Sequence, residues 1–546
     1  MDLLPNKLSA WKTLFDLVED VKKLSPKDFF ISEDRAKDFS VGACGIYIDF
    51  SKQRVTKEVL HQLIGLAEER ELPERIKDLL DGKLVNTTEN RAALHTILRT
   101  PLQKSSAKIS EEVHGVLNKL KRIVEKIHSK QWRGVTGKPI SDIVNIGVGG
   151  SDLGPYMTCE ALNDFTAKDA SELSFHFVSS MDGTQITSIL EKLNPETTLF
   201  VVSSKSFTTV DTFYNANTAI AWLKDSFNSK ELIMKQHVLG VSANLEKMTE
   251  WGVPKENQLQ FWDWVGGRFS MWSAIGIPIA LKVGFSNFKK LLNGAHAMDV
   301  HFSTSSLEQN LPVVMGLIGV WNATFLGVNA HTVLPYDGRL KFFPNYLTQL
   351  EMESNGKSVT HSGLPLDFKT CPILWGEIGS NAQHAFYQLL HQGTQDVSCD
   401  FIAPVKRYNE IDNLKIDSET ASYLKEQHIL SLSNCLAQSR ALFFGNECLA
   451  DTYEVPNHKV YRGLQSSTTI LLDSLTPETL GALIALYEHK VYVMACIWGL
   501  NPFDQWGVEL GKVIAEEMLE ALSLDSVTDF DPSTNNILEY IKSNRH

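Results

Sequence analysis

The chain reads as an α/β protein built on parallel sheets, and three observations lead there. First, short apolar runs at 142–146, 173–178, 198–202 and 237–241 alternate with helical stretches near 154–162, 185–193 and 211–227. Strands separated by helices imply a parallel sheet covered on both faces. Second, the alternation restarts after a helical zone at 269–326, with strands at 332–336, 398–402 and 467–472 and helices at 344–354, 381–391, 418–440 and 476–498. Third, no low-complexity linker divides the chain and no short repeat relates the two halves, so closely packed domains are expected.

Ahead of the first alternating block, residues 1–115 read as mainly helical. Amphipathic stretches occupy 9–24 and 56–70, and TENRAALHTILR at 88–99 begins with an N-cap candidate. Residues 47–50 suit a short strand, and 110–129 suits a long amphipathic helix. The tail reads as helical at 507–522 and 537–543.

A chain of 546 residues can bury several large cores. With 43% hydrophobic and 21% charged residues the composition is that of a globular protein. The net charge of -13 argues against a nucleic-acid surface, while leaving room for a local basic pocket. Seven dispersed cysteines without a CxxC pair suit free thiols in a reducing compartment. The N-terminal segment has no basic stretch followed by an apolar core, and no uninterrupted apolar run approaches about 18 residues. A cytoplasmic protein with no membrane and no nucleic-acid partner is the expectation.

Six stretches carry chemistry. In TQLEMESNGK (348–357), Gln349 and Glu353 lie four apart, hence on one helix face, and Ser354-Asn355-Gly356 reads as a stop with Gly356 suited to positive φ. A glutamate at a helix C-terminus faces the negative end of the dipole, an environment that suits a general base. NIGVGGSDLG (145–154) is a strand, a glycine turn and a helix start, able to bring backbone amides to an anion. Its spacing is not the dinucleotide GxGxxG. SSKSFTTVDT (203–212) crowds hydroxyls and Lys205 at the carboxyl end of a strand, where open α/β sheets bind ligands. WDWVGGRFSMWSAIG (262–276) sets Arg268 on a glycine turn, placed to stabilise a developing oxyanion. GSNAQHAFYQLLHQG (379–393) carries His384 and, seven residues on, His391, with no carboxylate or Cys spacing to make a metal site. GLNPFDQWGVELGK (499–512) presents Gln505 in a turn and Lys512 on the helix after it.

Taken together, these stretches closely resemble the phosphoglucose isomerase family. WDWVGGRFSMWSAIG and GLNPFDQWGVELGK resemble its two signatures, and the remaining stretches, with TTENRAALHTILR at 87–99, occur in family order. The resemblance implies two sugar-isomerase (SIS) domains of flavodoxin-like fold, at 116–290 and 291–500, each a parallel sheet sandwiched by helices. A helical N-terminal region (1–115) and a C-terminal helical arm (501–546) flank them. It implies interconversion of glucose 6-phosphate and fructose 6-phosphate with no metal and no other cofactor. It further implies catalytic roles for Glu353 (base), His384 and Lys512 (ring opening) and Arg268 (enediol stabiliser). Gly150, Ser151, Ser204, Lys205, Ser206, Thr209, Gln349 and Gln505 become substrate-binding residues, and the active unit becomes a homodimer with His384 contributed across the interface. Three positions depart from animal relatives: Ser206 for threonine, Val210 for glutamine and Asp211 for glutamate. A non-catalytic sugar-phosphate sensor would need the SSKSFTT loop but not Glu353, His384 or Lys512, and a metal-dependent isomerase would lose activity on chelation.

Overall fold

Most of the apolar runs form strands where the alternation puts them. In chain order these are β1 (Ser40–Ala43), β2 (Ile46–Asp49), β3 (Asp142–Ile146), β4 (Ser174–Val178), β5 (Thr198–Ser203), β6 (Val238–Ser242), β7 (Gln258–Gln260), β8 (Ala330–Pro335), β9 (Ile373–Gly376), β10 (Val397–Lys406) and β11 (Ser467–Ser474). The computed structural model describes residues 4–102, 108–407, 417–449, 455–523 and 530–545. The chain divides into two units, Met1–Pro502 and Phe503–His546.

The first sheet has the order β4-β3-β5-β6-β7 and every pairing is parallel. All six residues of β5 are buried, as expected for a strand covered on both faces. The chain steps outward from β3 to β4 and then returns to β5 on the other side. The order therefore reverses between β3 and β5, where Ile146 pairs with Val202. Ligands of open α/β sheets bind at such a reversal, beyond the carboxyl ends of the strands.

The second sheet has the order β1-β2-β11-β10-β8-β9, with β11, β10, β8 and β9 mutually parallel. Its parallel part repeats the first sheet's second-first-third-fourth order, so the two halves are related by topology without a sequence repeat. The segment expected as a short strand at 47–50 is β2, and it joins β11 antiparallel with Ile48 opposite Ile470.

The helix Pro477–Trp498 packs against the helices Ile277–Thr304 and Leu311–Val320, and is opened by the Thr476 hydroxyl accepting from Thr479 N and closed by Gly499 at φ 76°. It is long and apolar enough to cross a membrane, with mean hydropathy 1.4 over its best window, yet that window is wholly buried in the protein. Midway it carries Glu488, His489 and Lys490, all buried. Buried charges persist only when paired. Glu488 accepts from Arg99 and Trp272, His489 bonds Asp299, and Lys490 bonds Glu351.

Three expectations need correction. Residues 88–99 do not form an α-helix: Asn86 and Arg91 exchange backbone hydrogen bonds, Asn90 sits at φ 52°, and only His95–Leu98 makes a 3-10 turn. The turn-forming TTEN residues override the helical spacing beyond them. Second, the sequence reading overlooked β1, β7 and β9, which are edge strands of four, three and four residues. Third, the helical zone expected at 269–326 is not one run: it opens with 3-10 turns, the helix Ile277–Thr304 is interrupted by Gly284 at φ 80°, and Trp321–Phe325 is a π turn.

The second unit holds the helix Glu509–Ser523 and the helix Pro532–Asn544. Asp531 caps the latter by accepting from the Ser533 and Thr534 amides. The Arg545 guanidinium reaches the Leu522 carbonyl at 3.0 Å, tying the two helices together.

Candidate active site

The segment bearing Glu353 is α-helical only from Phe343 to Thr348 and continues as a π turn, Gln349–Glu353. Single π turns inside helices are rare and often mark functional positions. The helix runs on through Asn355. Gly356 does not take the positive φ expected of it; a Cβ there would stand 2.4 Å from the Met352 carbonyl oxygen, and that close approach is what requires glycine. The open carbonyl end expected beyond Glu353 is also closed. The Lys357 ammonium donates to Ser354 O at 2.6 Å, Asn501 O at 2.6 Å and Glu353 O at 3.4 Å, so a cation offsets the negative end of the dipole.

Opposite Glu353 lies Arg268, 2% exposed, on the 3-10 segment Gly267–Trp272. Its Nη1 is 3.4 Å from Glu353 Oε2, its Nε donates to Ser354 Oγ at 2.6 Å, and its Nη2 donates to the Pro502 carbonyl. The guanidinium therefore has a fixed orientation, with the part-exposed carboxylate as its charged partner.

Loop 147–151 after β3 joins these groups to the sheet reversal. On one side a Cβ at Gly149 would meet Gln349 Nε2 at 3.0 Å. On the other, a Cβ at Gly150 would stand 2.0 Å from Gly267 O and 2.7 Å from Arg268 N. Only glycine at 150 lets the two backbones pack this closely. Ser151 O accepts from the Asn145 amide at 3.1 Å, which ties the turn to its own strand. The side-chain oxygen of Gln349 is buried with no protein partner among the described residues, an acceptor next to the glycine loop.

Beside it, the loop after β5 holds Phe207 at φ 54°, strained for a bulky side chain, with its ring packed against Phe213 and Trp251. The Ser204 and Thr209 hydroxyls bond each other at 3.0 Å, and Ser206 Oγ accepts from Thr208 Oγ1 at 2.7 Å. Thr209 is N-cap to the helix Val210–Lys224 but makes no side-chain cap bond to it. The first amides of that helix are thus left for a ligand, with the positive end of the dipole behind them. Lys205 is held by the neighbouring turn. Its ammonium donates to the carbonyls of Asp263 (2.7 Å) and Val265 (3.0 Å), and burial lowers its pKa, with Asp263 opposing. Arg91, from the TENRAALH stretch, is among the charges acting on it. Of the three departures, Val210 is 52% exposed at the first position of the helix, Ser206 is exposed, and the Asp211 carbonyl accepts from Asn215.

The first unit thus gathers Gly150, Ser151, Ser204, Ser206, Thr209, Arg268, Gln349 and Glu353 around one reversal point, with Lys205 beside them. His384 lies elsewhere on this unit, exposed on the helix Gly379–Ala385. That helix breaks at Phe386 (φ -139°), so His384 and His391 do not share one regular face, and His391 is bonded to Gln438. Among the described residues no His, Cys, Asp or Glu cluster could hold a metal. Gln505 and Lys512 belong to the second unit, where Lys512 is exposed and pairs with Glu509 at 2.8 Å. The sequence reading missed Ser354 and Lys357, which orient Arg268 and close the helix. Both sit within the TQLEMESNGK stretch, where a polar residue directly after the base is the only signal.

The phosphoglucose isomerase family model matches residues 49–538. A glucose-6-phosphate isomerase of Psychrobacter cryohalolentis is 56% identical over 521 residues, covering 93% of this chain and 92% of that one. One of Acinetobacter baumannii is 53% identical over 97% of this chain and 96% of that one. The crystal structure of a glucose-6-phosphate isomerase from Chlamydia trachomatis superposes with a TM-score of 0.85 at 29% identity, covering 99% of this chain and all of that one. With the family model spanning most of its length and its parallel-sheet halves matching that structure, the chain belongs to the phosphoglucose isomerase family.

Proposed function

We propose that this chain interconverts D-glucose 6-phosphate and D-fructose 6-phosphate, an aldose–ketose isomerisation of glycolysis and gluconeogenesis, and that its active form is a cytoplasmic homodimer. The observation that carries the reading is the Glu353 carboxylate on a π turn, 3.4 Å from a buried arginine and next to two anion-receptive loops at a sheet reversal. Residues 116–290 and 291–500 serve as the two SIS domains, with 1–115 and 501–546 flanking them.

The phosphate anchors the sugar at the amides opening the helix Val210–Lys224 and at the hydroxyls of Ser204, Ser206 and Thr209. Lys205 adds positive charge from its place on the 263–265 turn. Anchoring a remote group converts an encounter into a positioned reaction. Gly150, Ser151, Gln349 and Gln505 bind the sugar. His384 and Lys512 move protons between O1 and the ring oxygen to open the pyranose. An exposed histidine is available to a second copy of the chain, which supports its contribution across a dimer interface.

Glu353 then takes the C2 proton. The C2–H electron pair becomes the C1–C2 double bond, and charge moves onto O1, where Arg268 stabilises it. Return of the proton to C1, with O1 gaining a proton as O2 loses one and the enediol double bond becoming C2=O, leaves the ketose. C1 and C2 are adjacent, so one carboxylate serves both. The test is to incubate the purified chain with glucose 6-phosphate in D2O and follow it by proton NMR. Fructose 6-phosphate should appear with deuterium entering at C1; an unchanged spectrum would refute the reading.

A further inference from the structure

The apolar helix Pro477–Trp498 grips Glu353 from both sides. Two residues before the carboxylate, Glu351 Oε2 accepts from Lys490 Nζ at 2.8 Å, with both side chains at most 4% exposed. Two residues after it, Asn355 Nδ2 donates to the Val491 carbonyl at 3.0 Å. Adjacent residues of one helix thus hold the two ends of the five-residue segment centred on Glu353. The same helix also holds the partner turn: Glu488 Oε1 accepts from Trp272 Nε1 at 2.7 Å, at the end of the 3-10 segment that begins with Gly267 and Arg268.

An ion pair this deep is a poor way to gain stability, because desolvating both charges cancels most of their attraction. A well-packed apolar pair would serve the core as well. What charge adds is direction. π turns are rare in isolated helices, so the one at Gln349–Glu353 needs support from outside the segment. Pinning Glu351 and Asn355 leaves the intervening backbone little freedom.

We infer that Lys490 is a positioning residue for proton transfer: its pair with Glu351, together with Asn355 on Val491 O, sets the π turn that aims Glu353 at C1 and C2. Lys490 touches neither substrate nor reacting atoms. The inference rests on the isomerase reading above, and the wild-type chain in the same assay separates failure of the one from failure of the other.

The test compares wild type, Lys490→Met, the double variant Glu351→Gln/Lys490→Met, and Asn355→Ala, each for thermal stability, kcat and KM with glucose 6-phosphate. Lys490→Met strands the Glu351 charge, leaves buried Asp400 to its bonds with His331 and Tyr487, and should melt well below wild type. The double variant removes both charges and should melt near wild type, while kcat stays at least about tenfold down with KM within about threefold, because the phosphate loop is untouched. A double variant that melts near wild type with kcat within twofold of wild type overturns the proposal. Should it fail to fold, Asn355→Ala, which strands no charge, decides. A kcat at least about fivefold down with KM little changed supports the clamp, and wild-type kcat overturns it.

Discussion

Replacing Gly150 by alanine tests how tightly the glycine loop is seated on the Arg268 turn. The new Cβ would stand 2.0 Å from Gly267 O and 2.7 Å from Arg268 N, both backbone atoms with no side-chain torsion to relieve the clash. Ordinary contact begins near 3.4 Å, so the loop and the turn must separate by more than about 1 Å. Displacements of that size at an active site cost on the order of 100-fold in rate, or about 2.7 kcal/mol of activation free energy. The assay is steady-state conversion of fructose 6-phosphate to glucose 6-phosphate coupled to a dehydrogenase, read as kcat/KM. The control is Gly65→Ala, in a helix with no atom near the new methyl, which should gain a few tenths to about 1 kcal/mol in stability at unchanged activity. A folded Gly150→Ala enzyme within threefold of wild-type kcat/KM would refute the packing argument.

Other outcomes follow from the same geometry. Ser354→Ala removes the 2.6 Å acceptor of Arg268 Nε and should lower kcat by roughly 10-fold or more, the worth of one hydrogen bond to a buried charge; calorimetry and coupled kinetics check it. Asp299 is driven upward by burial, yet Arg99 and His489 prevail and hold its carboxyl at about 2. A depressed acid pKa contributes stability that is present above the unfolded value and lost as pH falls through the folded one. The Asp299→Asn variant should therefore melt lower than wild type at pH 7, by the equivalent of about 2 kcal/mol, with the gap closing between about pH 4 and 2. Exhaustive treatment with EDTA should leave turnover unchanged, as measured in the coupled assay before and after dialysis.

The fold was legible because its central strands are mostly apolar and almost wholly buried: β3, β5 and β6 lie within a residue of their expected bounds. Such strands are buried on both faces and need no alternating pattern. β7 and β9 carry too few residues to register as periodic runs. The antiparallel placement of β2 beside β11 joins residues more than 400 apart, which no local pattern encodes. At the site, the glycine and hydroxyl loops were readable because backbone approach and helix starts demand particular residue types. The π turn was not, since α and π windings share their side-chain pattern over five residues. Gly356 misled because a glycine after a helix usually marks positive φ, whereas here it answers to a carbonyl at close range. The Glu488-His489-Lys490 triplet inside an apolar run was the overlooked signal, since three ionisable residues there require partners.

The central claim is that Glu353 carries the proton between C2 and C1. Glu353→Gln keeps the shape and the hydrogen-bonding capacity toward Arg268 while removing the base. Single-turnover measurement with glucose 6-phosphate should show the rate of isomerisation down by at least about a thousandfold, within the range expected for loss of a general base, with sugar-phosphate binding retained. Turnover within tenfold of wild type in that variant would contradict the account.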